Sequence, residues 1–213
     1  MKTAILFDFD GTLVTYRGNF PTLMFAVADG LEIPAEDREA FADELVQGLL
    51  RDGAVTLHSA ALSALQILGY RAPAAMDEVI ERTLLAYSHD IRVRPGAREL
   101  LARAAREMPL ALVTNGPSDM QRRALEASGL AGYFESVLIS GDDDVASRKP
   151  HPLIFGLACE RLGVLPRHTL MVGDNREADI SGALASGLQA IEVGPDADLL
   201  ALYGVIKDYL EAG

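Results

Sequence analysis

Residues 3–12 read TAILFDFDGT, and the fold follows from this stretch. TAILF is a short run without a polar face, the pattern of a strand covered on both sides in a parallel sheet. It stops at Asp8 and Asp10, which flank Phe9, and then at Gly11 and Thr12. A buried strand ending this way delivers its polar groups to the carboxyl edge of the sheet, where open α/β sheets bind ligands. Gly11 is expected to permit a tight turn and Thr12 to hydrogen-bond within the loop.

Similar apolar runs recur downstream as LALVT (110–114), SVLIS (136–140), TLMVG (169–173) and AIEV (190–193). Helical spacing separates most of them, over 97–107, 118–128, 153–163 and 177–187. Ser118 is a candidate N-cap, and Gly129, Gly163 and Gly187 are candidate stops. Strands alternating with helices predict an α/β fold: a Rossmann-like, doubly wound parallel sheet with right-handed crossovers.

One connection is too long. No convincing strand is legible between the first run and the second, yet an ordinary βα connection needs few residues. PTLMFAVADGL, AEDREAFADELVQGLLRDG, SAALSALQILG and AMDEVIERTLLAYSHD, all within residues 21–90, have helical periodicity. The expected organisation is a core domain of residues 1–14 and 93–213 and an all-α cap domain of residues 15–92. Arg94-Pro95-Gly96 marks the return to the core. An insertion placed there overhangs the carboxyl ends of the strands.

Composition removes several classes of function. The 213 residues include 31 acidic and 19 basic side chains, for a net charge of −12. Residues 15–92 carry 12 acids and 6 bases, so they and the remainder each net −6 and no acidic tail exists. Nucleic acid and anionic membrane surfaces are not expected partners, because both require a basic face. No apolar run approaches the roughly 18 residues of a membrane span. The start, interrupted by Asp8, does not resemble a secretory signal. One cysteine, Cys159, precludes an internal disulfide and fits a cytoplasmic location; its apolar helical context makes it a core residue. His58, His89, His151 and His168 lack metal-ligand spacing.

The strand ends converge on one edge in such a sheet. They bring Asp8, Asp10, Thr114, Asn115, Lys149, Asp174 and Asp179 together from distant parts of the chain. Several carboxylates without histidine or thiolate suit a hard cation, and Mg²⁺ is the natural choice. Lys149 and Thr114 could complement phosphoryl oxygens, because phosphoryl transfer depends on positioning and charge neutralisation. Of the two leading aspartates, one held beside a cation stays ionised and can attack phosphorus. The other, its pKa raised by its neighbour, can carry a proton to a leaving alcohol and then activate water.

With these residues in place, the chain resembles the haloacid dehalogenase superfamily, in its phosphatase branch with an inserted helical cap. Four motifs carry the resemblance in order: DFDGT (8–12), VTNG (113–116), RKP (148–150) with the following HPLIF, and VGDNREAD (172–179). The resemblance implies that Asp8 is the nucleophile and a metal ligand. It makes Asp10 the general acid/base, with its backbone carbonyl on Mg²⁺. Thr114 and the Asn115 backbone would bind phosphate, Lys149 would neutralise the nucleophile and phosphoryl group, and Asp174 would ligate the metal. Asp179 would order the metal's water shell or Lys149. The implied substrate is a small phosphate ester, with nucleotide monophosphates, phosphoglycolate and sugar phosphates all compatible.

Asp10 discriminates among the family's chemistries. The dehalogenase branch lacks this second aspartate and attacks carbon. The phosphonatase branch lacks it too and uses a cap lysine, whereas residues 15–92 contain no lysine. Sugar phosphomutases keep both aspartates and stay open. Receiver-like signalling modules combine an acidic cluster with Thr and Lys, but their phosphorylated aspartate lies on a later strand and they carry no cap.

Other residues have plainer readings. Thr114 and Asn115 could serve a helix cap or turn, and Asp179 could complement a helix dipole. Asp142-Asp143-Asp144 reads as a solvated loop rather than a second metal site. His151 reads as a surface-loop histidine, while Arg17, Asn19 and Phe20 are candidates to face substrate. Neither a heptad seam nor a discrete self-pairing surface is legible, so the oligomeric state is open.

Overall fold

The computed structural model describes residues 3–212, with side chains described through Asp208. Seven strands form: β1 (Ala4–Phe7), β2 (Val14–Tyr16), β3 (Ile91–Val93), β4 (Leu110–Thr114), β5 (Ser136–Ile139), β6 (Thr169–Gly173) and β7 (Gln189–Glu192). Five of them make a parallel sheet in the order β5-β4-β1-β6-β7. β1 therefore lies at the centre, with Phe7 opposite Leu112 on one side and Val172 on the other.

Because side chains alternate along a strand, the sheet has two apolar faces. Ile5, Phe7, Leu110, Leu112, Leu170 and Val172 belong to one cluster, covered by α5 (Ala97–Glu107), α6 (Ser118–Ser128) and α9 (Leu199–Ala212). Ala4, Leu6, Ala111, Val113 and Met171 belong to the other, covered by α7 (Pro152–Leu162) and α8 (Gly182–Ala185). Cys159 is buried in this second cluster, as its context suggested. Fully burying a side chain such as Phe7 or Phe155 contributes about 1.5–3 kcal/mol, so the doubly covered sheet is a stiff platform for its loops.

The long connection contains α1 (Phe20–Gly30), α2 (Arg38–Leu49), α3 (Leu57–Ile67) and α4 (Met76–His89). Asn19 caps α1, its Oδ1 accepting from the Thr22 amide at 2.8 Å, so this side chain serves the helix and not a ligand. Thr56 and Ser59 form a reciprocal capping box on α3. The helices bury Met24, Val27, Phe41, Leu45, Leu57, Ala61, Ile80 and Leu84 in a cluster continuous with the first sheet face.

The expectation of a strand-free insertion is corrected. β2 and β3 pair antiparallel, Val14 with Val93 and Tyr16 with Ile91, and form a ribbon through which the chain leaves and re-enters the core. Three residues per strand are too few for an alternation to be legible, and the pairing joins residues far apart in sequence. Other links hold the helical insertion down. The Val55 amide donates to Gly141 O at 3.0 Å, the Ser118 amide donates to Val55 O at 2.8 Å, and Asp119 accepts from the Leu57 amide at 2.8 Å.

Two further expectations change. Ser118 is the first residue of α6 and not its cap; Pro117 occupies the cap position, and the Ser118 hydroxyl donates to Asp142. The helix expected over 177–187 is a π-helical turn, Arg176–Ser181, running into the short α8. Asn175 O accepts from both Asp179 and Ile180, at 2.9 and 3.2 Å, which widens the turn.

Candidate active site

The carboxyl ends of β1, β4 and β6 and the loop leading into α7 enclose a pocket of ≈ 200 Å³. Asp8, Asp10, Thr114, Asn115, Lys149, Asp174 and Asp179 all line it, so the residues singled out on the strand ends meet in one place. Thr12 stands beside it: its hydroxyl donates to Asp8 Oδ2 at 2.9 Å and reaches Asp174 Oδ1 at 3.4 Å.

Lys149 organises the floor. Only 4% exposed, its ammonium lies 2.6 Å from Asp8 Oδ1, 2.6 Å from Asp179 Oδ1 and 2.7 Å from the Val113 carbonyl. The ammonium thus donates hydrogen bonds to Asp8 and the Val113 carbonyl and forms an ion pair with Asp179. Burial works against the charged lysine, but Asp8 and Asp179 together outweigh it and raise its pKa. Asp179 is itself fixed by the Asn175 amide at 3.0 Å, so it holds Lys149 from behind instead of complementing a helix dipole. Lys149 is positioned from the main chain as well. Its N–H donates to Asn115 Oδ1 and its C=O accepts from Asn115 Nδ2, both at 2.8 Å. The Asn115 side chain therefore ties the loop after β4 to the loop before α7 and does not cap α6.

Burial pushes the Asp8 carboxyl up, and the Lys149 charge opposes it. Asp10 is pushed up to about 6, by burial first, with the neighbouring Asp8 charge adding and a hydrogen bond from Gln121 opposing. Gln121 Nε2 donates to Asp10 Oδ2 at 2.7 Å. Gly11 adopts φ +81, and a Cβ there would lie 2.1 Å from Asp174 Oδ2. The glycine thus permits both the turn and the close approach of Asp174.

The donor set suits a hard cation. Oxygens of Asp8, Asp174 and Asp179 lie within 4.8 Å of one another. Lys149 already neutralises the side facing Asp179, whereas Asp174 is exposed and has no cationic partner among the described residues. The open face between Asp8 and Asp174 fits Mg²⁺, which takes one or two carboxylates and keeps waters.

A second cavity, of ≈ 170 Å³, lies where the helical insertion meets the core. Phe20, Val46, Leu49, Tyr87 and Met120 form apolar walls, and Asn115 and Gln121 connect it to the acidic pocket. Arg148 is the one charged side chain among its lining residues, and its Nη1 has no hydrogen-bond partner among the described residues. Phe20 therefore lines this cavity, while Arg17 is exposed and not among the residues lining either cavity.

The acidic run departs from its expectation. Asp142 is buried, accepting from Ser118 Oγ and from Arg122 Nη2 at 2.8 Å, and braces the loop below the site; Asp143 and Asp144 are exposed. His151 is exposed, as expected, and caps α7 through Nδ1. Two buried residues have roles that the sequence does not signal. Arg94 donates to the carbonyls of Gly11, Thr12, Gly194 and Pro195 at 2.6–3.2 Å, fastening the first loop to the segment after β7. Its acceptors are carbonyls, so no acidic partner in the sequence could signal it. Gln121 is the other, an amide on the buried face of α6 that helical periodicity does not distinguish from its apolar neighbours.

A parallel sheet with this lysine-braced carboxylate cluster at its carboxyl edge places the chain in the class of α/β proteins whose site is built on strand ends. A family model described as haloacid dehalogenase-like hydrolase matches residues 2–187, and the chain belongs to that family. It is 30% identical over 203 residues to the HAD-hydrolase YfnB of Bacillus subtilis (strain 168), covering 90% of this chain and 84% of that one. It is 32% identical over 208 residues to the phosphoglycolate phosphatase of Shigella boydii serotype 4, covering 88% and 79%. A HAD phosphatase structure from Thermococcus onnurineus superposes with a TM-score of 0.69 at 30% identity, covering 97% and 98%. A structure of YfnB, described as bound to magnesium, superposes at 0.61 with 24% identity and 96% and 98% coverage, a likeness of fold.

Proposed function

We propose that the protein is a Mg²⁺-dependent phosphatase that hydrolyses a small phosphomonoester through an aspartyl-phosphate on Asp8. The observation that carries this reading is a second carboxyl, Asp10, lining the same pocket as Asp8 and pushed up to about 6. Attack on carbon would need no such acid. The phosphatase relatives and the magnesium described for YfnB support it further.

In the first step an Asp8 oxygen attacks phosphorus while the ester oxygen departs with the Asp10 proton. In the second, Asp10 takes a proton from water, whose oxygen attacks the same phosphorus, releasing phosphate and regenerating Asp8. Lys149 keeps Asp8 oriented and offsets charge on the phosphoryl oxygens, with Thr114 and the Asn115 backbone completing their hydrogen bonding. A bound Mg²⁺, held by Asp8, Asp174 and the Asp10 carbonyl, would supply charge neutralisation for the phosphoryl group. Residues 15–92 act as a cap domain over the core of residues 1–14 and 93–213, admitting the ester and excluding water during the first step.

The leaving group occupies the second cavity. Its ≈ 170 Å³ holds a small body, and Arg148 favours one with an anionic substituent. A panel of phosphoglycolate, nucleoside monophosphates and sugar phosphates, assayed for phosphate release with Mg²⁺, tests the reading. Release from at least one ester, abolished in Asp8→Asn, is expected. Isomerisation without release would indicate a mutase, and a single stoichiometric phosphorylation without turnover would indicate a switch.

A further inference from the structure

Gln121 is 5% exposed on the inner face of α6, between the buried Met120 and Ala124. A polar side chain there is destabilising for each of its groups left unpaired. Its Nε2 donates to Asp10 Oδ2 at 2.7 Å and contacts Asn115 O at 3.3 Å, while Oε1 has no partner among the described residues. An apolar residue would fill this position with no unpaired atom, so packing alone does not account for the amide.

The route to Asp10 is itself prepared. A Cβ on Gly116 would stand 2.6 Å from Gln121 Nε2 and 2.9 Å from its Cγ. The glycine after Asn115 lets the amide pass to Asp10. Gln121 also lines the apolar cavity, whereas Asp10 lines the acidic pocket. Their hydrogen bond thus lies at the junction of the two, where the proposed function seats the bridging oxygen of a phosphate ester.

We infer that Gln121 is a positioning residue that holds the Asp10 carboxyl against the leaving-group oxygen, and that Gly116 is a glycine to give it passage. The inference rests on Asp10 acting as the general acid in the proposed function. A displaced acid impairs departure of an alkoxide, which needs the proton, far more than departure of p-nitrophenolate, which leaves without one. kcat/KM reports this first step alone.

The test compares Gln121→Met and Gln121→Asn with wild type on p-nitrophenyl phosphate and on the alkyl phosphate that wild type turns over fastest. Asp10→Asn serves as reference, and circular dichroism checks folding. The alkyl ester should lose about 10- to 100-fold in kcat/KM in both Gln121 variants, and p-nitrophenyl phosphate less than about threefold. Asp10→Asn should show the same discrimination, more strongly. If Asp10→Asn discriminates and folded Gln121 variants lose equally on both esters, or lose nothing, the positioning role is wrong. If Asp10→Asn itself does not discriminate, the assignment of Asp10 as acid fails instead.

Discussion

At the residue scale, the same burial that fits Asp10 to hold a proton destabilises the protein whenever Asp10 is ionised. Its carboxyl is raised from 3.8 to about 6, so the folded state binds a proton that the unfolded chain has released across that interval. Stability from this group is therefore present below about pH 4 and lost as pH rises through 6. Asparagine carries no such cost. Without divalent cation, Asp10→Asn should be more stable than wild type by about 1–2 kcal/mol at pH 7.5, allowing for partial solvent screening. The difference should close below about pH 4. Thermal melts of both proteins across this range check it, and a variant less stable at pH 7.5 would contradict the burial argument. The proposed exchange of stability for catalysis is common at active sites.

At the element scale, short connections decide where the acidic residues stand. Arg94 joins the β1 loop to the segment after β7 through four carbonyls at 2.6–3.2 Å, and its side chain is buried. Arg94→Met should leave these acceptors short of donors and cost about 2–4 kcal/mol, read as a lower urea midpoint with an unchanged slope. The helical insertion is pinned separately, by Asp119 on the Leu57 amide and by Val55 between Gly141 and Ser118. Asp119→Ala should raise amide hydrogen exchange in residues 54–60 while leaving β1, β4 and β6 protected. Equal acceleration in those strands would show that insertion and sheet open as one unit.

The same scale explains what was legible. β1, β4 and β6 could be read because strands covered on both faces are continuous apolar runs, and their polar ends were conspicuous for that reason. β2 and β3 could not, since neither carries a pattern apart from the other. Periodicity predicts an ordinary helix at Arg176–Ser181 because it does not encode the widening, which comes from Asn175 accepting two amides. Asp142 reads as solvated because its partners, Ser118 and Arg122, lie on α6, distant from this loop in sequence. Asp8, Lys149 and Asp174 were identified by residue type and motif order; Arg94 and Gln121 act through contacts that neither signals.

At the scale of the whole molecule, a chain of net charge −12 is proposed to bind an anionic ester. The acidic pocket resolves this locally. Four aspartates and one lysine line it, and a divalent cation would offset most of their formal −3. Most of the remaining acidity on the described residues is shared between core and insertion and faces solvent, which repels polyanions without opposing a small ester. Among the described residues no helix is long and apolar enough to cross a membrane.

In the proposed mechanism Asp8 carries the covalent step on which turnover depends. Acid quenching of wild-type enzyme during turnover with Mg²⁺, followed by peptide mass spectrometry, tests it directly. One phosphoryl group, labile to hydroxylamine, should appear on the peptide containing residues 3–12 at Asp8 and vanish in Asp8→Asn together with turnover. Rapid phosphate release by Asp8→Asn, or a phosphoryl group that accumulates elsewhere during turnover, would contradict it.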